Sequence, residues 1–195
     1  MHRAAKPILC YVTDRHSLTM ESRSTGNESA LLSAIQRAAV AGVHWIQIRE
    51  KDLPAGRLAG LVRNAKCRVP SGVRILVNDR LDVALAAGAD GVHLGEPSLP
   101  PSEVIRFIRT GARGELVPKD FMVGVSTHSL NAARAAEQGG ASYLIYGPVF
   151  ETPSKAAYGS PQGLERLAEV CRFVYVPVLA IGGIGEGNAA ECLKA

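Results

Sequence analysis

Trp45-Ile46-Gln47-Ile48-Arg49-Glu50-Lys51 is the stretch whose reading decides the fold. In an extended chain side chains alternate, so Gln47, Arg49 and Lys51 share one face while Ile46 and Ile48 take the other. A small-residue helical run ending Ala41-Gly42 precedes it, and helix followed by strand indicates an α/β layer covered on both faces. Inside such a layer a row of amide, guanidinium and ammonium groups is costly unless counter-charge meets it. Two readings stand: a polar strand end meeting solvent, or a cradle for an anion with several phosphate oxygens. The cradle is the expectation carried forward.

Working outward, Ile8 to Thr13 is an apolar run read as strand one, and residues 14–27 read as a mobile loop of the kind that closes over a site. Leu31, Leu32, Ile35, Ala38 and Ala39 recur at helical spacing. A helix over 54–66 then leads to a strand over 74–79, and a helix over 81–87 to a strand over 91–95. Pro101 sits where a first helical turn accepts proline, ahead of Val104, Ile105 and Ile108. Strands follow over 121–126, 143–146 and 176–181, with helices over 131–138, 164–171 and from 186 onward.

Seven β/α repeats, about 20–30 residues apart, suit a TIM (β/α)₈-type barrel better than an open sheet. No G-x-G-x-x-G follows the first strand, which counts against a dinucleotide fold. One barrel domain over 1–195 is expected, with the chain ending one strand and one helix short of closure. Either the chain is truncated or the barrel is open beside strand one.

Composition narrows the function classes. The 195 residues are 47% hydrophobic and 21% charged, ordinary for a globular chain able to bury a core. A net charge of +4, with no basic run interleaved with aromatics, gives no case for nucleic acid. Cys10, Cys67, Cys171 and Cys192 lack CxxC spacing, so neither a zinc site nor a disulfide framework is indicated. No apolar run reaches signal-peptide or transmembrane length, and a cytoplasmic protein without membrane partners is expected. Homo-oligomerisation is left open.

Polar groups collect at the strand ends, where barrel enzymes keep their sites. Gln47, Arg49 and Lys51 end strand two, Asn78 and Asp79 strand three; His93 and Glu96 lie at strand four, and Ser126, Thr127 and His128 at strand five. Thr152, Ser154 and Lys155 follow strand six, and Gly182-Gly183 follows strand seven. Each has a plainer reading. Asn78-Asp79 could cap the next helix, His93 could be a hydrogen-bonded core histidine, and Thr152 and Ser154 could be turn residues around Pro153. Together the groups suit a diphosphate: Arg49 offers a planar fork, Lys51 and Lys155 point charges, Asp79 a hard oxygen for Mg²⁺, and Gly182-Gly183 backbone amides. Stabilising a departing anion is the chemistry this set supports best.

These blocks resemble the thiamine phosphate synthase and thiazole tautomerase superfamily. The likeness runs from Ile8 to the C-terminus. It is carried by Gln47-Ile48-Arg49-Glu50-Lys51, Asn78-Asp79, the Asp90–Gly95 and Gly124–His128 blocks, Gly147-Pro148-Val149-Phe150 with Thr152, Ser154 and Lys155, and Ala180–Ile184. It implies a (β/α)₈ barrel that joins a hydroxymethylpyrimidine diphosphate to a thiazole phosphate, giving thiamine phosphate and pyrophosphate. Pyrophosphate leaves first, and the thiazole nitrogen captures the pyrimidine cation.

By position, the resemblance implies that Gln47, Arg49, Lys51, Asn78 and Ser126 hold the pyrimidine diphosphate. Lys155 reaches the diphosphate, Asp79 binds Mg²⁺, and Thr152, Ser154 and Gly183 contact the thiazole phosphate. The family's second acidic metal ligand falls at Ser98 here, with Glu96 two residues away as a substitute. A tautomerase would instead use His128 as general acid–base, and a third reading is a non-catalytic binder of such phosphates. Retention of Arg49, Lys51, Asn78, Asp79 and Lys155 favours the synthase.

Overall fold

The computed structural model describes residues 7–18, 27–110, 117–152 and 160–195. Strand and helix alternate throughout these, and the strands pair in parallel, which places the chain in the TIM-type β/α barrel class. The chain packs as two compact units, residues 1–93 with 115–121, and residues 94–114 with 122–195. Among the described residues no helix is long and apolar enough to cross a membrane.

In the first unit β1 (Cys10–Val12) pairs with β2 (Trp45–Ile48), β2 with β3 (Arg74–Asn78), and β3 with β4 (Gly91–Leu94). Consecutive residues are buried in the inner strands: Ile46, Gln47 and Ile48 in β2, and Ile75, Leu76 and Val77 in β3. That is the signature of a parallel layer covered on both faces. Helix α1 (Asn27–Val40) buries Leu31, Leu32, Ile35 and Ala39, and α2 (Ala55–Arg68) buries Leu58, Leu61, Val62 and Ala65. Each such large side chain contributes about 1.5–3 kcal/mol by leaving water. Helix α3 (Leu81–Ala86) follows β3.

In the second unit β5 (Met122–Thr127) pairs with β6 (Tyr143–Tyr146), and β6 with β7 (Val178–Ala180). Gly124 stands opposite Tyr143, and a Cβ there would overlap the tyrosine ring; the glycine makes room for it. Helices α4 (Pro101–Thr110), α5 (Leu130–Gln138), α6 (Gly163–Phe173) and α7 (Ala189–Lys194) complete the unit. Pro101 opens α4 as its position suggests, and Ser129 caps α5 by accepting from the Ala132 N–H at 3.2 Å.

The departures from the sequence expectation have local causes. β2 stops at Ile48, short of Lys51, because the Arg49 N–H turns to the Thr13 hydroxyl (3.0 Å) instead of a backbone carbonyl. β7 starts only at Val178, since Pro177 has no N–H to donate, though its carbonyl accepts from Leu144 at 2.9 Å. α7 starts at Ala189 and not at 186, because the Asn188 side chain accepts from Gly185 (2.8 Å) and donates to the Gly183 carbonyl (3.0 Å), holding a turn. Arg15–Ser17 forms a short 3₁₀ turn capped by Asp14, and Asn27 already belongs to α1. The rest of the expected closing loop, 19–26, lies outside the described residues.

Candidate active site

The first unit gathers one set of groups where β2 and β3 end. Gln47 is 3% exposed, and its Nε2 donates to Asn78 Oδ1 at 2.9 Å. Its Oε1 is buried with no hydrogen-bond partner among the described residues. Glu50, Lys51, Asn78, Asp79 and Arg80 line a cavity of about 270 Å³ with Leu53 and Leu58. Arg49 and Lys51 are themselves exposed, so the desolvation expected of the whole row applies only to Gln47. Neither cation has an ion-pair partner among the described residues, whereas Glu50 is committed to Arg15.

Asp79 has a left-handed backbone (φ 64°), a conformation that aspartate tolerates better than most residues. Its N–H donates to the His93 carbonyl at 2.8 Å. The N-cap residue of α3 is Arg80, whose own side chain makes no capping bond. His93 takes the plainer of its readings, a core histidine 2% exposed. Burial pushes its pKa down to about 4, against the pull of the Asp79 charge.

The second unit holds the other set. Ser126 is half-buried on β5, and His128 follows the strand. His128 Nδ1 donates to the Gly147 carbonyl, and its Nε2 lies 3.6 Å from the Glu96 carboxylate. Ser98 accepts from the Gly95 N–H at 2.8 Å and closes a turn. The segment before Thr152 is stitched to the β7 end by Val149 N–H to Ile181 O and Phe150 N–H to Gly182 O, both 2.9 Å. Gly183, at φ 67°, lies so close to this segment that a Cβ would strike the Glu151 carbonyl. Ser154 and Lys155 fall outside the described residues.

Gln47, Asn78, Lys51 and Asp79 are thus brought together, as are Glu96 and His128. Thr13 and Arg15 were missed by sequence reasoning. Both are buried and both contact Glu50, a partner more than thirty positions away.

Residues 9–195 match the family model described as thiamine monophosphate synthase. A thiamine-phosphate synthase of Roseiflexus sp. (strain RS-1) is 40% identical over 192 residues, covering 96% of this chain and 73% of the relative. One from Methanocella arvoryzae is 40% identical over 184 residues, covering 93% and 81%. A solved structure, the thiamine phosphate pyrophosphorylase of Pyrococcus furiosus, superposes with a TM-score of 0.77 at 31% identity, covering 96% of this chain and 80% of that one. The chain belongs to the thiamine monophosphate synthase family.

Proposed function

We propose that this chain transfers the pyrimidinylmethyl group, the pyrimidine ring with its methylene, from a hydroxymethylpyrimidine diphosphate to the ring nitrogen of a thiazole phosphate, giving thiamine phosphate and pyrophosphate. The observation that carries the reading is the bond from buried Gln47 to half-buried Asn78, with Gln47 Oε1 and the two neighbouring cations lacking partners among the described residues. A buried acceptor left unmet costs about 1–3 kcal/mol, and a ligand N–H, as on an amino-substituted pyrimidine, removes that cost. Arg49 and Lys51 supply the charge a diphosphate needs.

In the reaction the bond between the methylene carbon and the diphosphate oxygen breaks, and its electron pair leaves with pyrophosphate. Arg49, Lys51 and Lys155 act by stabilising that departing charge. The thiazole nitrogen lone pair then forms the new C–N bond at the methylene. Gln47, Asn78 and Ser126 orient the pyrimidine, and Thr152, Ser154 and the Gly183 backbone hold the thiazole phosphate.

Mg²⁺ fits the donor set, because Asp79 brings a hard carboxylate oxygen to the cavity wall and Mg²⁺ commonly takes one or two carboxylates plus substrate phosphates. Among the described residues no group of three or more His, Cys, Asp or Glu side chains forms an all-protein cage. We assign Asp79 to the ion. Bound there, Mg²⁺ would neutralise charge on the diphosphate.

A tautomerase reading is favoured by one observation, the fixed tautomer of His128 facing Glu96. Product analysis of purified protein with both substrates and Mg²⁺ separates the readings. Thiamine phosphate with stoichiometric pyrophosphate is expected. Metal-independent thiazole isomer exchange, or binding without turnover, would overturn the proposal.

A further inference from the structure

A carboxylate lies between the two cations of the cradle in the chain, and its charge is already met. Glu50 is 4% exposed. It accepts from the Thr13 hydroxyl at 2.7 Å, from the Arg15 N–H at 3.2 and 3.3 Å, and from Arg15 Nη1 at 2.9 Å. Thr13, 1% exposed, works in both directions, since its hydroxyl also accepts the Arg49 N–H at 3.0 Å. Its own N–H donates to the Gln47 carbonyl at 2.9 Å. The Arg15 guanidinium extends to Asp52, donating from Nη1 to Oδ1 at 2.6 Å and pairing through Nη2 with Oδ2. That bond in turn holds the Asp52 carboxyl well below the usual carboxylate range.

Buried ion pairs rarely raise stability over apolar packing, so their retention calls for a geometric role. Here the geometry is specific. The hydroxyl of Thr13 fixes the Arg49 backbone, while Arg15 ties down the residues on either side of Lys51. Arg15 also neutralises Glu50, whose charge would otherwise lie beside any anion bound by its neighbours.

We propose that Thr13, Glu50 and Arg15 are positioning residues that aim Arg49 and Lys51 at the diphosphate, with Arg15 neutralising the intervening carboxylate. This rests on the reading of Arg49 and Lys51 as a diphosphate cradle. The device governs affinity for the diphosphate substrate and leaves the thiazole phosphate alone.

The test is a pair of substitutions, Thr13→Val and Thr13→Ser, with Glu50→Gln beside them. Steady-state KM for each substrate, inorganic pyrophosphate binding by calorimetry and thermal melting are measured on the full chain. Thr13→Val is expected to raise KM for the pyrimidine diphosphate and weaken pyrophosphate about tenfold, the scale of one lost hydrogen bond. KM for the thiazole phosphate should change less than about twofold, and Thr13→Ser should restore the parent values. Glu50→Gln should shift the same parameters in the same direction, and it carries the test if Thr13→Val does not fold. Valine and serine variants that behave alike, or two KM values that move together, would overturn the inference while leaving the cradle standing. A parent protein that neither turns over nor binds pyrophosphate would overturn the cradle and the inference with it.

Discussion

Gly183→Ala tests the link between backbone conformation and the thiazole-phosphate side of the reaction. At φ 67° an added Cβ strikes the Glu151 carbonyl oxygen and comes within 2.8 Å of Phe150 Cβ and 2.9 Å of the Phe150 carbonyl carbon. None of these atoms is the free end of a flexible side chain. The Phe150–Glu151 backbone must move, and it is held by the Phe150 N–H to Gly182 carbonyl bond at 2.9 Å. Alanine in the left-handed region costs about 1–2 kcal/mol, and losing one backbone hydrogen bond about 1 kcal/mol more. The sum, roughly 2–3 kcal/mol, corresponds to a melting temperature lower by roughly 5–10 °C for a chain of this size. Because Thr152 follows directly, KM for the thiazole phosphate should rise at least about tenfold while KM for the pyrimidine diphosphate stays within about twofold. Scanning calorimetry and steady-state kinetics on the same preparation read both quantities. An unchanged melting temperature with an unchanged thiazole-phosphate KM would refute the reasoning.

Three further outcomes are expected. Gln47→Leu strips Asn78 Oδ1 of its 2.9 Å donor but also removes the unmet Gln47 Oε1, so stability in urea unfolding should change by less than about 1 kcal/mol while KM for the pyrimidine diphosphate alone rises. His93 gives a pH signature: its pKa in the folded chain is about 4, below the ordinary 6.5, so the unfolded chain binds the extra proton between those values. Stability should therefore be full above pH 6.5, fall as pH drops toward 4 by about 3 kcal/mol in all, and level off below, a slope that His93→Gln removes in matched urea titrations. Asp79→Asn should lower turnover and raise the Mg²⁺ concentration required for half-maximal rate, with thermal stability in metal-free buffer nearly unchanged.

The strands were legible because parallel strands covered on both faces read as short apolar runs, as in Ile75-Leu76-Val77 and Tyr143-Leu144-Ile145-Tyr146. The cradle was legible only in part. Period-two alternation carries no signal for where hydrogen bonding stops; β2 ends at Ile48, so the alternation covers Gln47 and does not reach Arg49 and Lys51. Arg15 read as one more polar residue in a loop; it is in fact 8% exposed, because Glu50 and Asp52 meet its charge. No local pattern announces that pairing, whose partners lie 35 and 37 positions apart. Thr13 shows the same limit. Its hydroxyl matters through Arg49 and Glu50, and only the register of β1 against β2 brings them together.

The central claim is that Arg49 and Lys51 carry charge reserved for a diphosphate leaving group. Calorimetric titration of the full chain with inorganic pyrophosphate and Mg²⁺, for the parent protein and Arg49→Ala, tests it most directly. Saturable binding by the parent is expected, with affinity at least about tenfold weaker in the variant, the scale of a charge-assisted hydrogen bond. Equal pyrophosphate affinity in the two proteins would contradict it.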